Sequence, residues 1–249
     1  MYKKLGLGLS LLFCVQGTVI AQEGPLESSE LDITQEKVWK GEGELGMTQT
    51  SGNTETSNVL AKLAVTYVHS KWEHQADVEI LRSEDNDTLT AKRYDLGVQS
   101  NYDLSKQDYL YANAQYEEDH FSGYDYQTII TGGYGYKIIN TEPTLLKLEA
   151  GIGGRQSRLE EEIDGNREPI ARLALHYRQK VGSHSQFIQN FLAIPGGDNT
   201  FARSYTALKV QIMDQVAVNL SFLVKHNTDV PDENKNTDTV SAVTLVYNF

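Results

Sequence analysis

The sequence predicts an all-β chain, an antiparallel up-and-down transmembrane β-barrel of about 12 strands, and three observations carry that prediction. Apolar and polar residues alternate with period two from Trp39 onward, without a convincing helical stripe. The amino terminus has the form of an export signal. Short turns alternate with longer polar connections along the chain.

The elements follow in order. Lys3 and Lys4 precede an apolar run from Leu5 to Val15, and a small residue, Ala21, stands before Gln22. A basic start, a short apolar core and a small residue at the cut describe a signal peptide over 1–21, because the run is too short to span a bilayer as a helix. Its Cys14 is the only cysteine, and Phe13 stands where lipoprotein processing would need a small residue, so a mature chain starting at Gln22 contains no thiol or disulfide. Residues 22–37 are acidic, aperiodic and carry Pro25, and read as a periplasmic lead-in. The barrel is assigned to 38–249.

Within it, turn signals bound strands near 39–49, 57–69, 71–82, 90–104, 108–118 and 124–137, then 144–156, 168–179, 185–194, 201–212, 215–225 and 237–249. Tyr94, Leu96, Val98 and Tyr102 oppose Arg93, Asp95, Gln99 and Asp103, which separates a lipid face from a lumen face. Connections after even-numbered strands are tight, except for a long stretch around Pro143. Those after odd-numbered strands are longer, and are assigned to the cell exterior. No proline interrupts a predicted strand. Trp39, Tyr67, Trp72, Tyr102, Tyr109, Tyr134, Tyr136, Tyr177 and Phe187 gather near the short turns, as an interfacial girdle would. The first strand is expected to pair with the last, since in lipid every backbone donor and acceptor needs a partner within the protein.

The final strand places Val243, Leu245, Tyr247 and Phe249 on one face. This alternating, aromatic-ended stripe resembles the signal read by the barrel-assembly machinery, because an open strand edge can pair with another barrel's edge during insertion. The stretch from Trp39 through Gly41, Gly46, Ser51, Gly52, Asn53 and Thr54 to Trp72 resembles the family of salt-induced outer-membrane proteins of the YdiY type. That resemblance implies an outer-membrane location in a Gram-negative bacterium and a role connected with salt or osmotic conditions, and it brings no catalytic residues. Gly52 and Asn53 also suit a tight hairpin reversal, which explains the SGNT motif without a ligand.

By strand parity, candidate pore-lining residues are Arg93, Asp95, Lys147, Glu149, Arg155, Arg172, His176, Arg178, Arg203, Lys209 and Lys225. Acids fall on earlier strands and bases on later ones, so the lumen would carry a transverse field able to orient a dipolar solute. The competing reading is a plug of mutually neutralising charges. His120 and Ser122 have the spacing of a lipid hydrolase pair, but no Asn follows to complete the pattern, and an ordinary loop histidine explains it. The acidic runs at Glu84, Asp85 and Asp87, at Glu117 to Asp119, and at Glu160 to Asp164 lack the spacing of a calcium loop and read as solvated loops.

A net charge of −12 argues against a nucleic-acid partner. The expected partners are outer-membrane lipid, the assembly machinery and a small solute, with no cofactor and no enzyme activity. Three functions stay open: a porin-like channel for small solutes, a non-conducting structural or stress-response barrel, and a lipid hydrolase.

Overall fold

The computed structural model describes residues 38–51, 57–85, 88–119, 124–159, 165–230 and 234–249. The predicted signal peptide and lead-in, the Gly52 to Thr54 part of the SGNT motif, His120, Ser122 and the acidic run from Glu160 to Asp164 lie outside them.

Twelve strands form one sheet: β1 (Val38–Ser51), β2 (Ser57–His69), β3 (Trp72–Asp85), β4 (Thr88–Asp103), β5 (Asp108–Asp119), β6 (Tyr124–Thr141), β7 (Thr144–Leu159), β8 (Asn166–Val181), β9 (Ser185–Pro195), β10 (Thr200–Gln211), β11 (Val216–Asn227) and β12 (Thr237–Asn248). Each pairs antiparallel with its chain neighbour, and β1 pairs with β12 to close the barrel. At that seam Leu45 faces Leu245 and Ser51 faces Thr239. Gly41 and Phe249 exchange both backbone hydrogen bonds at 2.9 Å, which extends the ladder beyond β12. A Cβ on Gly41 would collide with the Phe249 ring, so the glycine makes room for the aromatic to lie across the seam.

Period two dictates the two faces. On β1, Leu45 and Met47 point outward and Glu42 and Glu44 inward; on β12, Val243, Leu245 and Tyr247 point outward while Val240, Ala242, Thr244 and Val246 are buried inside. Ile152 on β7 is 76 % exposed, whereas Arg155 on the same strand is 2 % exposed. That inversion of ordinary burial suits a wall whose outer solvent is lipid.

Both ends of the barrel take their character from the connections. The turn end carries the short reversals after β2, β4, β6, β8 and β10, the start of β1 and the end of β12. Ser70 (φ 56°) and Gly182 (φ 70°) supply left-handed backbone in two of those reversals. At this end Trp39 packs on Tyr67 with ring centroids 4.4 Å apart, and Trp72 on Tyr102 at 4.9 Å. The opposite, loop end carries the remaining connections.

Three sequence expectations need correction. β6 runs on to Thr141, so the connection around Pro143 is a tight turn like the others at its end. β3 and β4 extend to Asp85 and Thr88, because backbone pairing continues through polar residues that had read as loop. Tyr109 does not join the girdle: it is 1 % exposed and points inward, opposite Gly135, where a Cβ would overlap its ring.

Candidate functional site

The eleven candidate residues all project from the inner wall, and the structure joins most of them to particular partners. Lys225 on β11 reaches Glu117 and Asp119 on β5, each at 2.8 Å, with all three side chains buried. In the closed strand order β11 and β5 lie six strands apart either way round, so this bridge crosses the full lumen. Arg203 on β10 faces Asp95 on β4 at 3.9 Å across an equal separation. Lys209 bonds Glu42 at 2.7 Å, three strands round the wall. Arg93 pairs with Glu79, and Arg155 with Glu168 and the Asn199 carbonyl.

The loop-end half of the lumen is partly apolar. Ile129, Ile170, Ala174, Leu192, Ile194 and Phe201 form one buried apolar cluster, and Leu60, Leu81 and Ala242 a second. The expectation of a polar inner face is therefore corrected here: these residues occupy inward positions, and the low exposure of Lys225, Glu117 and Asp119 strengthens the electrostatics of their bridge. The mouth above is tied across. Asn199 Nδ2 donates to Asn227 Oδ1 at 2.7 Å, and the backbone N–H groups of Thr228 and Asp229 donate to Asn199 Oδ1 at 2.9 and 3.2 Å. From the far wall Tyr124 Oη donates to the Asp229 carbonyl at 3.1 Å.

The turn-end half holds an open space, and a second one lies between it and the Lys225 bridge. Gln75, Asp77, Ile188, Asn190 and Arg203 line both. In the turn-end cavity Glu149 is saturated: Arg172 Nη1 donates to it at 2.5 Å, Tyr109 Oη at 2.8 Å and Gln99 Nε2 at 3.0 Å. His176 Nε2 stands 3.7 Å from the same carboxylate. The Arg172 guanidinium also lies over the Tyr111 ring, 4.9 Å from its centroid. Glycine makes this crowding possible, because a Cβ on Gly135 or Gly151 would collide with Tyr109 or Tyr111.

Lys147, Arg178 and His176 line the same space, and Glu73, Asp77, Gln99, Asn101 and Asn113 face it from the other side. Acids thus dominate β3 and bases β7 and β8, which is the transverse charge separation that strand parity had suggested. Glu42, Glu44, Glu73, Glu79 and Tyr111 also lie inside without having been singled out from sequence. The alternation of glycine and glutamate over Gly41 to Glu44 was the available signal for the first two.

Among solved structures, the barrel resembles the NanC porin, with a TM-score of 0.57 at 10 % identity, over 82 % of this chain and 98 % of that one. The KdgM porin aligns with a TM-score of 0.48 at 8 % identity, over 84 % of this chain and 99 % of its own. In sequence, the chain is 25 % identical over 219 residues to "Uncharacterized protein YdiY" of Escherichia coli (strain K12), covering 86 % of this chain and 84 % of that protein. Residues 43–249, from the second residue of the β1–β12 seam to the end of the barrel, match the family described as "Protein of unknown function, DUF481", and the chain belongs to that family.

Proposed function

We propose that this is an exported protein of the Gram-negative outer membrane, and that its lumen is a restricted conduit for small polar solutes with the loop end as its closure. The observation that carries the reading is the pair of charged spaces meeting at Gln75, Asp77, Asn190 and Arg203, which together follow the inside of the wall. The porin-like fold supports it, without identifying a solute. Residues 1–21 are the proposed export signal, and the outward stripe of Val243, Leu245, Tyr247 and Phe249 the proposed contact with the assembly machinery.

A second reading, a non-conducting barrel, is favoured by the Lys225 bridge and the apolar clusters around it. The salt connection implied by the family resemblance fits either reading, since added ions weaken the partly exposed Arg203–Asp95 contact before the buried bridge. A hydrolase reading rests on His120 and Ser122 alone.

Single-channel recording of the refolded full chain in a planar bilayer, with reversal potential read in a salt gradient, separates the first two. Discrete steps are expected, more frequent when Lys225→Met, Glu117→Gln and Asp119→Asn are combined. Silence from both folded proteins would leave the non-conducting barrel.

A further inference from the structure

The turn-end cavity contains a lysine, Lys147, that forms no direct ion pair among the described residues. Lys147 is 7 % exposed, yet among the described residues no carboxylate or carbonyl lies within bonding distance of its ammonium, which sits over the Tyr109 ring, 5.6 Å from Nζ to centroid. The acids that could serve are engaged elsewhere. Glu149, two residues along β7, is saturated by Arg172, Tyr109 and Gln99, and Glu73 accepts from Asn101 at 2.9 Å. The nearby Lys137 ends on Asp103 at 2.8 Å. An ammonium beside open space with no direct ion pair in the wall is free to take an anion from outside the chain as its direct partner.

We propose that the turn-end cavity binds the carboxylate of a small polar solute, with Lys147 as its counter-charge. This rests on the conduit reading and gives its solute a chemical class. His176 is the direct cross-strand neighbour of Lys147, and Arg178 faces Leu145 one step along the same ladder, so the basic groups converge from two adjacent strands. The facing wall offers the side-chain amides of Gln75, Gln99, Asn101 and Asn113, which can donate and accept, beside the carboxylates of Glu73 and Asp77. That arrangement suits a carboxylate seated against the basic wall, away from Glu73 and Asp77, on a polar body that the amides can bind.

The test is titration calorimetry of the full chain in detergent micelles, at constant ionic strength, with N-acetylglycinate, acetate and chloride as probes. N-acetylglycinate is expected to bind, acetate more weakly, and chloride not measurably. Lys147→Met should weaken N-acetylglycinate binding by about tenfold or more, the loss expected when a charge-assisted hydrogen bond is removed. Lys180→Gln, which removes an exposed turn lysine outside the cavity, should bind as the unmodified chain does. Equal affinity in Lys147→Met, chloride binding as tight as N-acetylglycinate, or no binding by a sample whose gel migration shifts on heating would each overturn the proposal. Binding without channel activity would retain the site and sink the conduit; channel activity without binding would do the reverse.

Discussion

The two halves of the lumen use the same residue, a buried lysine, in opposite ways. At the loop end Lys225 has two carboxylates at 2.8 Å and apolar clusters near by. At the turn end Lys147 has the face of Tyr109 and open space. A buried charge with direct partners in place is a rivet, while one without them can take a ligand. Burial alone does not distinguish the two, since both side chains are less than a tenth exposed.

The largest effect should come from breaking the rivet. Lys225→Met leaves Glu117 and Asp119 buried beside each other without their cation, and is expected to destabilise the barrel by about 3–5 kcal/mol, read as a lower urea midpoint of the folded protein in micelles. Adding Glu117→Gln and Asp119→Asn should return most of that loss. An unchanged midpoint in the single variant would mean that water already reaches the bridge.

Next comes Gly135→Ala, which places a methyl group where the Tyr109 ring lies and should cost about 1–3 kcal/mol. Combining it with Tyr109→Ala removes the collision, so the penalty measured in that background should be smaller; full additivity would show that the ring moves aside freely.

Arg203→Gln is milder. Its contact with Asp95 is 3.9 Å long and the arginine is about one-third exposed, so stability should fall by less than about 1 kcal/mol. If the barrel conducts, unitary conductance should rise, because this contact stands where the two spaces meet. A rise in conductance equal to that of the Lys225 triple variant would put the constriction at the centre of the lumen instead of the loop end.

Lys147→Met should have the smallest effect on stability, within about 1 kcal/mol of neutral, since it gives up a cation–π contact and no direct ion pair while removing a charge from a buried position. A loss comparable with that of Lys225→Met would reveal a partner for Lys147 and erase the contrast between the halves.

The wall was legible in the sequence and the lumen only in outline. Alternation along β4, β7 and β11 separated lipid-facing from inward residues because each of those strands is mainly apolar on one side and mainly polar on the other. β9 defeated that logic: Phe187 and Phe191 are on one face and Ile188, Leu192 and Ile194 on the other, so its inner apolar residues left no periodic mark. The orientation of Tyr109 was hidden because tyrosine suits both a membrane interface and a polar interior. Its pairing with Gly135, and that of Tyr111 with Gly133, was the missed sign that bulky groups needed space inside. Which lysine meets which acid across the lumen depends on strand stagger and curvature, which a linear pattern does not encode.

The seam between β1 and β12 gives the barrel a circular logic. Every other sheet pairing joins neighbours in the chain and forms as a hairpin, whereas Glu42 meets Asn248 only after all the intervening strands exist. Ring closure is therefore the long-range step, and until it happens β1 and β12 expose unsatisfied edges that need shelter from other strands. Once closed, no strand of the ring is first or last. Since both ends of the seam lie beside the short reversals, a linker joining them could be traded for a cut in another turn with every sheet pairing kept. The order of synthesis would change, and the finished wall would not.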